Sequence, residues 1–109
     1  MSESEVWNVA LPVPLPRLFD YLPPAGGGPA APGARVLVPF GRRKLIGVLA
    51  AVAESSQLPR DRLVRVIDLP DDGAALLDAV TLELLRWCAG YYKHAIGEVV
   101  LSALPPALR

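Results

Sequence analysis

The chain has 109 residues, a net charge of zero from 11 basic and 11 acidic side chains, and 52% hydrophobic residues. That apolar content excludes a disordered segment, and the length suits one domain whose modest core buries more than ~60% of the unfolded surface without metal or disulfide. The balanced charge lacks the basic excess of a protein that coats duplex DNA, so any nucleic-acid role must rest on a local site.

One cysteine, Cys88, can form neither an internal disulfide nor a metal cluster, and it reads as a reduced intracellular thiol packed in a core. The acidic start, Met1-Ser2-Glu3-Ser4-Glu5, lacks the basic-then-apolar layout of a signal peptide. No apolar run approaches the ~20 residues that span a membrane. A cytoplasmic protein is expected. Twelve prolines and nine glycines favour short strands and tight connections over a helical bundle.

Residues 6–11 are β-branched and apolar and predict a first strand. Pro12, Pro14 and Pro16 follow at alternate positions. Lacking backbone N–H groups, they fit only a sheet edge or an extended crossing segment. Residues 17–22 predict a second strand, stopped by Pro23-Pro24. The Gly/Pro/Ala-rich stretch 23–33 reads as a surface loop. Residues 35–40 predict a third strand, and Gly41-Arg42-Arg43 between two apolar runs predicts the tip of a hairpin. Residues 63–69 alternate well enough for another strand.

The last third changes period. Leu76, Leu77, Val80, Leu84, Trp87, Cys88 and Tyr91 recur at helical spacing and predict an amphipathic helix packed on the core through this face. Asp71, Asp72 and Asp78 lie near its start and Arg86 and Lys93 near its end, as the helix dipole favours. Residues 96–104 form a short apolar run halted by Pro105-Pro106. The expected fold is mainly β with a C-terminal helix: a small barrel of about five strands with the helix across one end. The chain then stops at Arg109 without a terminating signal, which suggests a domain cut from a longer protein. From the residues alone, the reading ends at a small barrel with a basic hairpin tip.

Three ordered blocks carry more. The first is Val9-Ala10-Leu11-Pro12-Val13-Pro14-Leu15-Pro16-Arg17-Leu18-Phe19-Asp20-Tyr21. The second is Arg35-Val36-Leu37-Val38-Pro39-Phe40-Gly41-Arg42-Arg43 with Ile46-Gly47-Val48. The third is Trp87, Tyr91-Tyr92, Ile96-Gly97-Glu98-Val99 and Ala103-Leu104-Pro105. In order and spacing they resemble the N-terminal 3′-end DNA-binding domain of the PriA family, the primosomal replication-restart helicases (primosomal protein N-prime).

The resemblance implies a single 3′-DNA-end-binding domain over residues 1–109, with an OB-fold-like barrel of permuted strand order. It implies sequence-independent recognition of the 3′-terminal nucleotide of a nascent leading strand at stalled forks. Implied partners are DNA forks with a free 3′ end, other domains of the helicase, and other primosome and single-strand-binding proteins, with no membrane. The fragment itself would be no enzyme and hold no cofactor. It has neither a GxxxxGK[ST] phosphate loop nor a cysteine cluster, so the family's ATP and zinc sites would lie elsewhere in the full-length protein.

The resemblance places the 3′-end pocket at Phe19, Asp20, Tyr21 and Gly41. A terminal nucleotide carries a free hydroxyl where an internal one carries a phosphate. The Asp20 carboxylate can accept a hydrogen bond from that hydroxyl, or from a base amino group, and would repel a phosphodiester. Phe19 and Tyr21 offer rings to a base or sugar, and stacking tolerates all four bases. Gly41 allows close backbone approach. Arg42, Arg43 and Lys44 would contact flanking phosphates. Where the family often has a lysine, this chain has Val64, and the neighbouring Arg65 is the candidate substitute.

Without the resemblance, Phe19 and Tyr21 would be core aromatics, Asp20 a solvated edge charge and Arg42-Arg43-Lys44 a soluble turn. Trp87, Tyr91 and Tyr92 read as helix-to-barrel packing, Trp7 and Cys88 as structural, and His94 has no metal-ligand partner at suitable spacing. A protein-interaction barrel is the alternative function, and a free-standing enzyme finds no assembled catalytic set.

Overall fold

The computed structural model describes residues 5–26, 29–56, 58–92 and 94–109. Four strands form one antiparallel sheet: β1 (Val6–Ala10), β2 (Phe19–Tyr21), β3 (Arg35–Phe40) and β4 (Arg43–Ala53), in the order β2-β1-β4-β3. Two helices follow, α1 (Ala79–Tyr92) and α2 (Ile96–Ser102). The C-terminal third thus holds two helices where one was expected.

Alternation in β1 sorts its side chains onto two faces. Trp7 and Val9 join Tyr21, Val36, Val38, Leu49 and Val66 in the main core. Ala10 and its cross-strand partner Val48 face the other way, where Val100, Leu101 and Leu104 cover them. Each fully buried valine or leucine among these is worth about 1.5–3 kcal/mol relative to exposure. α2 lies against β1 and β4, and the contact is close at Gly97, where a Cβ would sit 1.5 Å from the Leu11 carbonyl oxygen. The β1–β4 register shifts between Asn8 and Val9, leaving Ala50 as an extra residue in β4. The proline segment makes no sheet pairing. It bends away, with Pro12, Pro14 and Pro16 exposed, and returns the chain to β2.

The strand predicted at residues 63–69 does not form. Leu63 and Val66 are buried and Leu69 half-buried, while Val64, Arg65, Ile67 and Asp68 face solvent. Inward positions at every third residue do not fit a strand, whose period is two. The segment instead joins both free edges of the sheet. The Leu22 N–H donates to the Val64 carbonyl (2.8 Å) and the Val66 N–H to the Leu22 carbonyl (3.0 Å). The Leu37 N–H donates to the Asp68 carbonyl (2.9 Å) and the Ile67 N–H to the Leu37 carbonyl (2.8 Å). With the Tyr21 hydroxyl bonded to the Pro39 carbonyl at 2.8 Å, β2 and β3 are linked across the open side. The result is the OB-like, mainly β architecture.

The face assigned to α1 is corrected. Leu82 and Ala89 are buried, whereas Val80, Leu84, Trp87 and Tyr91 are 80%, 56%, 60% and 65% exposed. α1 packs on α2, and of the apolar side that the spacing marks as inward Leu77, just ahead of the helix, is buried and Cys88 half-buried, while the four residues above lie outward. Trp87 and Tyr91 stack on one another there, with centroids 5.0 Å apart and planes 13° from parallel, instead of packing on the barrel. Asp78 caps α1, its carboxylate accepting from the Thr81 N–H at 2.7 Å, which holds the carboxyl below its usual range. Asp71 serves a different purpose. It makes a two-pronged ion pair with Arg35 (2.7 and 2.9 Å), which also lowers its pKa. Lys93 lies outside the described residues.

Candidate nucleic-acid interface

The β3–β4 hairpin turns in two residues. Phe40 pairs with Arg43, and Gly41 and Arg42 make the loop. Gly41 has φ +62°, the sign that a hairpin with glycine at the first loop position requires, and space around its Cα is open. Arg42, Arg43 and Lys44 are all exposed, and among the described residues no carboxylate pairs with them.

Phe19 reaches this hairpin from β2. Its half-buried ring meets Phe40 edge-on, with centroids 5.4 Å apart and planes at 89°. The Arg17 guanidinium lies over the Phe19 ring, 4.5 Å from its centroid. One corner of the barrel therefore collects Arg17, Phe19, Phe40 and Gly41 beside three exposed cations.

Tyr21 is placed differently. It is 4% exposed, sits in the core and donates to Pro39, and its burial pushes the phenol pKa up to about 12. Asp20 lies between the two aromatics and so faces the opposite side of β2. There it is half-buried opposite Asn8 on β1. Asn8 Nδ2 donates to Asp20 Oδ1 at 2.8 Å and the Ser56 hydroxyl to Oδ2 at 2.5 Å. Arg65 is exposed and donates to the Pro23 carbonyl at 3.0 Å, just beyond β2, while Val64 is 50% exposed.

Sequence reasoning missed Arg17, Phe40, Asn8 and Ser56. Phe40 was findable, since it abuts Gly41 at the turn. Arg17 stands two residues before Phe19, the spacing that shares a side in an extended chain. Nothing local marks Ser56. A shallow cleft of about 420 Å³, lined by Pro29, Ala30, Ala31, Asp71, Asp72, Gly73 and Ala74, contains none of the candidate DNA-binding residues. Among the described residues no group of three or more His, Cys, Asp or Glu side chains could hold a metal ion, and no helix is long and apolar enough to cross a membrane.

Residues 8–105 match the model of the PriA family described as the 3′DNA-binding domain (3′BD). The chain belongs to the PriA 3′DNA-binding domain family. It is similar to the replication restart protein PriA of Haemophilus influenzae, 41% identical over 105 residues, which cover 96% of this chain and 14% of that protein. The PriA of Treponema pallidum is 36% identical over 107 residues, covering 89% of this chain and 15% of the relative. That of Bacillus subtilis is 40% identical over 94 residues, covering 85% and 12%. The chain thus spans about one seventh of the PriA proteins it matches. The matched 3′BD region takes in Phe19, Asp20, Tyr21, Gly41, the hairpin cations and Arg65.

Proposed function

We propose that this chain is one DNA-end-binding module that recognises the 3′-terminal nucleotide of a DNA strand without regard to sequence. It would act within a longer PriA-type protein, an ATP-dependent helicase with its zinc and nucleotide sites elsewhere, at stalled forks awaiting restart. The observation that carries the reading is the corner where Phe19 meets Phe40-Gly41 beside exposed Arg42, Arg43 and Lys44, in a chain of this family. Phe19 offers a ring to base or sugar, and the bare Gly41 backbone lets the terminal sugar approach. Asp20 accepts from the 3′-hydroxyl or from a base amino group and repels a phosphate in the hydroxyl's place. Tyr21 supports the corner from the core. The hairpin cations and Arg65 supply sequence-independent attraction to phosphates.

A fluorescence-anisotropy titration with single strands ending in a 3′-hydroxyl or a 3′-phosphate tests it. Tighter binding of the hydroxyl end is expected, and equal affinity removes the end-recognition claim. A second reading, a protein-interaction barrel contacting other domains or restart partners, has one observation in its favour: the exposed stripe Val80, Leu84, Trp87 and Tyr91 on α1. Failure to bind either oligonucleotide would favour it.

A further inference from the structure

Both oxygens of the Asp20 carboxylate are held by other side chains. Asn8 comes from the adjacent strand, and Ser56 from the segment after β4, 36 residues farther along the chain. The Ser56 hydroxyl also accepts the Leu58 N–H at 3.2 Å, so its single proton is committed to Asp20. A carboxylate offers about four lone-pair directions, and two are used here, which leaves two for a ligand. Asp20 is half-buried, so part of the residue stays open to solvent.

We infer that Ser56 and Asn8 are positioning residues for Asp20, fixing the plane of its carboxylate so that the two remaining acceptor directions are set before a strand end arrives. The inference rests on the proposed role of Asp20. An unrestrained aspartate on an exposed strand face samples several rotamers and loses that freedom when it binds. Two donors from separate elements remove the freedom in advance. The segment after β4 then takes part in end recognition without touching DNA.

The test uses the 109-residue chain and 5′-labelled single strands ending in a 3′-hydroxyl or a 3′-phosphate, titrated by fluorescence anisotropy. Ser56→Ala is expected to weaken binding of the hydroxyl end by about fivefold, the effect of one net hydrogen bond, and to leave the phosphate end unchanged. Ser56→Thr, which keeps the hydroxyl, is expected to restore the preference. Asp20→Ala/Ser56→Ala should bind no more weakly than Asp20→Ala alone, because one substitution removes what the other positions. A folded Ser56→Ala with the wild-type preference overturns the inference, as do losses that add in the double variant. If circular dichroism shows Ser56→Ala unfolded, Asn8→Ala carries the same expectation through the other oxygen. A wild-type chain with no end preference brings down the proposed function itself. Loss of preference in Asp20→Ala but not in the Ser56 and Asn8 variants brings down this inference alone.

Discussion

The Tyr21 hydroxyl donates to the Pro39 carbonyl at 2.8 Å, tying the outer strands β2 and β3 together at the end where Phe19 meets Phe40. Tyr21→Phe should therefore cost about 1 kcal/mol of stability, the net worth of one hydrogen bond. Urea denaturation measures it, with an unchanged m-value expected.

The same phenol sets an alkaline limit. Burial raises its pKa from 10.0 to about 12, so the folded state favours the neutral form. Its contribution is complete below pH 10, the unfolded value, and is lost as pH climbs towards 12, because the unfolded chain ionises first. The stability gap between wild type and Tyr21→Phe should shrink across that window. Urea midpoints of both proteins at several alkaline pH values check it.

Gly97→Ala should be among the most damaging small changes. The added methyl would stand 1.5 Å from the Leu11 carbonyl oxygen, a backbone atom that cannot swing aside. Lifting α2 from β1 would expose Ala10 and Val48, and a loss of about 3 kcal/mol is expected, read from thermal melts.

Asp20→Ala should reduce discrimination against a 3′-phosphate and not merely weaken binding overall. The paired anisotropy titration gives the ratio directly. A ratio equal to wild type in a folded variant would assign Asp20 to anchoring the segment after β4.

Arg42→Ala/Arg43→Ala should flatten the dependence of single-strand binding on salt. Two lost phosphate contacts reduce the slope of log K against log salt by about 1.4, at about 0.7 per contact. The preference for a hydroxyl end should survive, since neither side chain is placed at Asp20. Titrations at several salt concentrations measure both quantities.

Local signals read well where they coincide with local structure. β3 runs from Arg35 to Phe40 as the apolar run ahead of Gly41 predicts, and the hairpin follows. Residues 63–69 misled because their apolar positions resemble a strand, while bonds to two distant edges, at Leu22 and Leu37, decide their shape. The α1 face misled for a related reason. The helix has two apolar sides, and which one is covered depends on where α2 sits, which no spacing within α1 records. Phe19, Asp20 and Gly41 stood out by resemblance, but Ser56 did not, because its link to Asp20 exists only once the chain returns along β4.

The Arg17 guanidinium over Phe19 has a consequence for how any flat ring could dock there. That face of the phenyl is already occupied, so a nucleobase arriving on it must evict a cation. The evicted guanidinium is then free beside the newcomer's own sugar-phosphate link. Docking by that route is an exchange, in which an internal contact is given up for two external ones.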